Sequence, residues 1–475
     1  MSGLQCRKRL WYEINQPAQR GPIGLTQQRI TDQGDEVGRH ARRRFPDGRL
    51  IEATGSRALK ATQAAIAEGA TCLFEAAFAF DDILIRCDIL QRNPDHTWTL
   101  IEVKSSTSVK PEHYWDAAIQ TYVLTGVGLE IRRVQLMYLN NQDCYHPDLS
   151  NLFVLQDMTA ELTPLLRQVA HHKQGFLNIL AAADAPEQPI GQHCHQPHPC
   201  PFKENCWHQV PQASIFTIPR LHWDKKTALI EQGIVAIADL PPTLKLSQTQ
   251  QAYVETVQRN QPVIDRVAIA ARLAELTYPI HFFDFETLNP AIPRFDGMKP
   301  HEHLPFQYSC HILHPDGRLE HHEYLQTETT DPRLPLIQAL ISHIGPVGSV
   351  VAYQTAFEAS VLKKLAASFS QYHEPLLSIC SRLWDQHDIF KYHYRHPAFL
   401  GKTSIKKVLP VVVPSLSYDC LEIRQGDEAQ TVWEVMLQTT NAVHKQRLID
   451  HLKAYCKLDT QAMLEIHQVL SRMEI

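Results

Sequence analysis

The chain has 475 residues, 44% hydrophobic and 20% charged, with a net charge of −5. That composition is globular, excludes a disordered chain, and at about 150 residues per domain leaves room for roughly three domains. No apolar run approaches the ~18 residues that span a bilayer, and Met1–Arg9 runs into Trp11-Tyr12-Glu13 with no leader-like apolar stretch. The expectation is a cytoplasmic protein with no membrane partner.

The first 50 residues carry ten Lys/Arg against five Asp/Glu, a local basic end on an acidic body. Such an end suits a surface that grips phosphates, and a solvated helix face is the bland alternative. Cys6 lies beside Arg7-Lys8-Arg9, and Gly34-Asp-Glu-Val-Gly38-Arg-His40 offers one histidine, His40.

Residues 73–104 are predicted to form a strand meander: Leu73–Phe78, Asp82–Leu90 and Trp98–Lys104, with a polar turn at Asn93-Pro94-Asp95-His96. Acids inside apolar strands need a partner, because a buried unpaired charge is expensive. Asp88 and Glu102 on adjacent strands could share a divalent cation, and Glu102 and Lys104, two apart, project from one face. Asp116-Ala-Ala-Ile-Gln120-Thr-Tyr122 reads as helix. Gln120 and Tyr122 are candidates for touching substrate or supporting Lys104, against an exposed Gln and a packed Tyr.

Eleven cysteines, an odd number in a chain of cytosolic character, argue against a disulfide framework. Cys194, Cys200 and Cys206 recur at intervals of six in a proline-rich loop. A fourth ligand from His193, His195, His198 or His208 favours zinc; Cys6 makes an all-thiolate set suited to a 4Fe–4S cluster. The remaining reading is small core thiols without a metal.

An early Cys, an Asp…Glu-x-Lys core, a helix with Gln and Tyr, and then three clustered cysteines resemble the RecB-like nucleases of PD-(D/E)XK fold that carry a four-cysteine iron–sulfur cluster. The resemblance covers about residues 1–207. It implies Glu75, Asp88 and Glu102 as acidic residues for Mg²⁺ or Mn²⁺, Lys104 as catalytic, and Cys6, Cys194, Cys200 and Cys206 as ligands of a 4Fe–4S cluster, with zinc as the alternative. Such nucleases also carry an early helical His, for which His40 is the candidate.

Residues 208–270 are expected to be a small helical connector. Ile218–Leu221 and Ala228–Leu240 look like two short helices around Gly233, a degenerate helix-hairpin-helix, with a plain helical connector as the alternative. Beyond it, Pro279–Thr287 is predicted as a strand with Asp284 and Glu286 on one face among Phe282, Phe283 and Phe285. Two such carboxylates repel unless a cation lies between them. Gly348–Glu358 reads as strand, turn and helix start, and Leu448–Thr460 as a helix with Tyr455 and Asp459 on one face.

An Asp-x-Glu strand, a third acid after a strand, and a helical Tyr-x-x-x-Asp resemble the DEDDy exonucleases of the DnaQ-like, RNase H-like fold, over about residues 275–475. The resemblance implies that Asp284, Glu286, Glu358 and Asp459 hold two divalent cations and that Tyr455 orients water. Glu358 stands where Asp is usual, and Asp388 is an alternative acid. Lys406, Lys407 and Gln307 are candidates for contacting the substrate backbone.

The expected organisation is α/β throughout: a restriction-endonuclease-like domain over 1–207, a connector over 208–270, and an RNase H-like mixed-sheet domain over 271–475. The order resembles bacterial two-nuclease fusion proteins. It implies metal-dependent hydrolysis of DNA, single-stranded or at ends, in repair, processing or defence. The alternatives are RNA processing, or nucleic-acid binding with one or both sites inactive.

Overall fold

Two units make up the computed structural model, which describes residues 1–22 and 24–473: Met1–His208 with Pro290–Glu302, and Gln209–Asn289 with His303–Ile475. Both are mixed α/β. The segment 208–270, expected to be a separate connector, belongs from Gln209 on with the second unit. Residues 290–302, expected within the last domain, belong with the first. The reason is local: Ala291 and Ile292 are buried with Val37, Leu139, Cys144 and Leu152, and the His301 ring bonds to the Ser105 carbonyl at 2.6 Å. No helix among the described residues is long and apolar enough to cross a membrane.

In the first unit, α1 (Arg7–Asn15) and α2 (Leu25–Arg42) lead to β1 (Arg49–Leu50), α3 (Ser56–Ala67), β2 (Cys72–Phe80), β3 (Ile83–Arg92) and β4 (Trp98–Lys104). Then come α4 (Pro111–Gly126), β5 (Ile131–Leu139), β6 (Phe153–Asp157) and α5 (Thr159–Ala181). The sheet runs β1-β2-β3-β4-β5-β6. Its β4–β5 pair is parallel, as the α4 crossover between them requires. Leu73, Leu90, Leu100 and Leu136 pack with Ala117, Ala118 and Val123 of α4 in one core. Phe74 pairs with Ile89 and Ala76 with Cys87, so Glu75 falls opposite Asp88. Ile89 pairs with Ile101, and continuing that register puts Asp88 opposite Glu102. Three carboxylates therefore share one rung of the sheet. The ladder is interrupted there, with Glu75 at φ +56°, a region that non-glycine residues seldom visit.

The second unit begins with α6 (Trp223–Glu231), α7 (Gln248–Arg259), β7 (Val263–Ile264) and α8 (Arg266–Leu273). Around Gly233 only one full helix forms: Ile218–Leu221 is not helical, and Ile237–Asp239 is a single 3₁₀ turn. The polar stretch at 247–251 starts α7, because Ser247 and Gln250 form a capping box. The five-stranded sheet follows, from β8 (Ile280–Leu288), β9 (Leu304–Leu313), β10 (Leu319–Leu325), β11 (Val350–Ala352) and β12 (Leu383–Asp385), in the order β10-β9-β8-β11-β12. Helices α9 (Arg333–Ile344), α10 (Ala356–Ser368) and α11 (His373–Ser381) lie among these strands in sequence. The chain ends through β13 (Tyr394–Arg395), which pairs with β7, and α12 (Ile405–Val412), α13 (Gly426–Gln438) and α14 (Ala442–Ser471). Central β8 is buried almost throughout, which is why it reads as a near-continuous apolar run. Helix α14 buries Leu452, Tyr455, Asp459, Met463 and Ile466 at helical spacing.

Candidate metal and active sites

The most compact group of potential ligands lies on β8 and α14. Asp284, Glu286 and Asp459 each offer an oxygen within 4.8 Å of the others. The residues opposite the two strand acids pin the helix: Gln307, opposite Glu286, donates to the Leu452 carbonyl at 2.9 Å, and Ser309, opposite Asp284, bonds to Thr460 at 2.7 Å. Gln307 is therefore a buried staple that aims Asp459, not the substrate contact expected of it.

Burial pushes the carboxyls of Asp284 and Glu286 well above the usual range, and the Asp459 charge adds to it. Asp459 is pushed up to about 6 by burial, partly offset by the Tyr418 hydroxyl. Asp459 Oδ2 and Glu358 Oε2 are buried without a hydrogen-bond partner. Such oxygens are costly unless something positive reaches them. A divalent cation fits this donor set, three convergent carboxylates of which one has a bare oxygen.

Glu358, on the first turn of α10, is not among the three convergent acids, although its charge acts on Asp284 and Glu286. Burial raises its carboxyl to about 8, helped by Asp385. The alternative acid Asp388 is held near Arg272 and Lys391, at 3.8 Å from each. Asp385, unnoticed in the sequence, accepts the amides of Gln354 and Thr355 at 3.0 and 3.2 Å and so fixes the entry to α10. Tyr455 sits beside the acids, and Lys406 Nζ donates to its Oη at 2.9 Å and to the Arg424 carbonyl at 2.5 Å. Tyr418, also unnoticed, donates to Asp459 Oδ1 at 2.6 Å. A Cβ on Gly426, at the start of α13, would stand 3.5 Å from Glu286, so that helix approaches the site bare.

The first unit holds a second acidic site, a cavity of about 390 Å³ lined by Glu75, Asp88, Glu102 and Lys104 and, from α2, by Gly34, Asp35, Gly38, Arg39 and Arg42. Asp88 and Glu102 thus face the same space. Asp88 Oδ2 accepts the Val103 amide at 2.7 Å, which tempers the effect of burial, and its carboxyl lies at about 6. Glu102 is 4% exposed and raised well above its usual range by burial and by Asp88. Lys104 Nζ bridges Glu102 at 2.6 Å and Asp116 at 2.7 Å, and Gln120 donates to Glu102 Oε2 at 2.6 Å. Burial opposes the charge on Lys104, but the two acids outweigh it and raise its pKa. Two carboxylates on one cavity suit Mg²⁺ or Mn²⁺, which keep much of their water.

Three expectations change here. Glu75 lines the cavity but is held by Arg86 at 2.9 Å and Arg42 at 3.5 Å, so its charge is already answered. His40 does not line it; α2 turns Asp35, Arg39 and Arg42 inward instead. Tyr122 is not with Gln120: two residues along a helix it points elsewhere, and its hydroxyl donates to Asp81 at 2.7 Å, where Lys173 also bonds at 2.5 Å, closing the β2–β3 hairpin. Tyr122→Phe is therefore expected to cost within about 1 kcal/mol in urea denaturation and to leave divalent-cation binding unchanged by titration.

Cys6, Cys194, Cys200 and Cys206 line one small cavity with His193 and Arg9. Cys6 caps α1, accepting the Arg9 amide at 3.4 Å. Gln5 ties the loop down by donating to the carbonyls of His193 and His198, both at 2.7 Å. Cys206 lies on a five-residue helix, Lys203–Trp207, within the expected loop. Of the four histidines considered, only His193 lines this cavity. Cys194 and Cys6 raise it to about 10. Cys194 is lowered because His193 and backbone donors overcome its burial. Four thiols lining one cavity suit a thiolate-bound metal centre, although among the described residues their sulfurs are not drawn within 4.8 Å of one another as the acids of β8 and α14 are.

A family model described as a domain of unknown function (DUF2779) matches residues 281–404. The match takes in Asp284, Glu286 and Glu358 and stops before Lys406, Tyr418, Tyr455 and Asp459. No curated protein and no solved structure matches the chain.

Proposed function

We propose that this protein is a divalent-metal-dependent nuclease with two separate sites, hydrolysing DNA that is single-stranded or presents ends. The observation that carries the reading is the convergence of Asp284, Glu286 and Asp459, two from one strand and one from a helix about 170 residues later in the chain, with Tyr455 beside them. On this reading the first unit is a RecB-like PD-(D/E)XK domain and the second a DEDDy-type, RNase H-like domain.

In the second site, bound Mg²⁺ or Mn²⁺ would supply charge for the phosphate and an activated water. Asp284, Glu286 and Asp459 would hold it, with Glu358 completing the acidic wall. Tyr455, its oxygen occupied by the Lys406 ammonium, turns its own proton toward the site to orient the water. In the first site Asp88 and Glu102 would be the ligands, and the Lys104 ammonium, held between Glu102 and Asp116, offsets phosphate charge and donates to the attacking water to position it. Gln120 fixes Glu102, while Arg39 and Arg42 face the incoming backbone. The four thiols would hold a 4Fe–4S cluster joining the N-terminal helices to residues 194–206, with zinc as the alternative.

A second reading, a nucleic-acid-binding protein with inactive sites, draws on Glu358 lying outside the convergent acids. The test is full-length protein with Mg²⁺ or Mn²⁺ on single-stranded DNA, duplex DNA and RNA. Cation-dependent cleavage of DNA is expected. Tight binding of all three without cleavage overturns the reading, and cleavage of RNA alone makes it an RNA-processing enzyme. Anaerobically prepared protein is expected to contain iron and sulfide and to show visible absorbance; stoichiometric zinc without absorbance overturns the cluster.

A further inference from the structure

Tyr418 has no part in the mechanism above, yet its surroundings specify one. It lies on a 3₁₀ turn, Tyr418–Cys420, between α12 and α13, and is buried. Its hydroxyl engages Asp459 Oδ1 at 2.6 Å, while Asp459 Oδ2 has no hydrogen-bond partner. A carboxylate so held offers a cation its bare Oδ2 more readily than both oxygens, because the hydroxyl already draws on Oδ1. The Lys406 ammonium lies 5.1 Å from the Tyr418 ring centre and 4.9 Å from that of Tyr455, and has no bond to Asp459 itself. The two rings are 6.3 Å apart.

We propose that Tyr418 sets the cation preference of this site by biasing Asp459 toward one-oxygen ligation. Six-coordinate Mg²⁺ and Mn²⁺ accept single oxygens at short range. Ca²⁺ is larger, takes up to eight oxygens, and commonly draws two from one carboxylate. Tyr418 is thus a positioning residue that disfavours Ca²⁺. The inference rests on the three acids being a divalent-cation site.

The test is Mn²⁺ binding to the full chain, followed by the paramagnetic resonance of the free ion. The component lost in Asp284→Asn defines the site, and Ca²⁺ is titrated against that component. In the unaltered protein Ca²⁺ should displace Mn²⁺ poorly. Tyr418→Phe keeps the ring and drops the hydroxyl, and should raise the affinity for Ca²⁺ relative to Mn²⁺ roughly tenfold, the scale of a hydrogen bond to a charged group. Lys406→Met removes the donor to Tyr455 and leaves the Asp459 hydrogen bond, so the ratio should hold. An unaltered site that takes Ca²⁺ as tightly as Mn²⁺, or a ratio unmoved in Tyr418→Phe, overturns the proposal and leaves the cation site standing. Absence of any Asp284-dependent Mn²⁺ binding overturns both.

Discussion

Asp284→Asn should abolish cation-dependent cleavage at the second site, by about 10³-fold or more, and should make the metal-free protein more stable. The two effects share a cause. Asp284 is half-buried, and its desolvation, with the charges of Asp459, Glu286 and Glu358, raises its carboxyl well above its usual range. Without a cation, holding four acids together opposes folding, and replacing one by a neutral amide relieves the repulsion. With a cation, the same replacement removes a ligand, and a loss of several kcal/mol of charge stabilisation translates into a rate loss of about that size. Thermal melts with a chelator and cleavage assays with Mn²⁺ read the two effects separately. Cleavage by the remaining site should persist, and Lys104→Ala should do the converse. If either change alone removed all cleavage, the two-site picture would be wrong.

Lys104→Met should lower stability by about 3 kcal/mol near neutral pH, because removing one partner strands a buried charge on Glu102 and a half-buried one on Asp116. The deficit should shrink in acid. Glu102 has a folded pKa above its ordinary 4.5, so it opposes folding as pH rises past that value; without the Lys104 cation the rise is steeper. Asp116 is lowered because Lys104 outweighs its burial, so it contributes stability above its ordinary 3.8 and loses it as pH falls. The variant forfeits that contribution. Both effects make the difference from the unaltered protein grow from pH 4 to pH 8, as urea denaturation at several pH values would show. A deficit independent of pH would mean that Lys104 acts through packing alone.

Much of the site is legible in the sequence where one element carries the pattern. Asp284-x-Glu286 stands out because two acids interrupt an apolar strand, and Tyr455-x-x-x-Asp459 because four residues bring a helix back to the same face. The meander around Asp88 and Glu102 is legible for the same reason. What depends on register or on distant turns is not. Tyr418 reaches Asp459 across 41 residues from a 3₁₀ turn with no periodicity of its own. Asp385 ends β12 and Asp388 follows three positions on, and only the fold decides which caps a helix and which pairs with arginine. Tyr122 looks like a partner of Gln120 until two steps along a helix, about 200°, send it away. Gln307 looks exposed and polar until the β8–β9 register sets it opposite Glu286.

The excursion at 290–302 bears on how the halves could ever be handled apart. A fragment ending at 208 would lack Ala291 and Ile292, baring Val37, Leu139 and Leu152 and leaving the Ser105 carbonyl, next to Lys104, without its histidine. A fragment beginning at 209 would carry the missing piece as a sticky tether between β8 and β9. Dissection by cutting the chain would thus confound lost chemistry with lost solubility, and only single-residue changes in the intact polypeptide can assign an activity to either half.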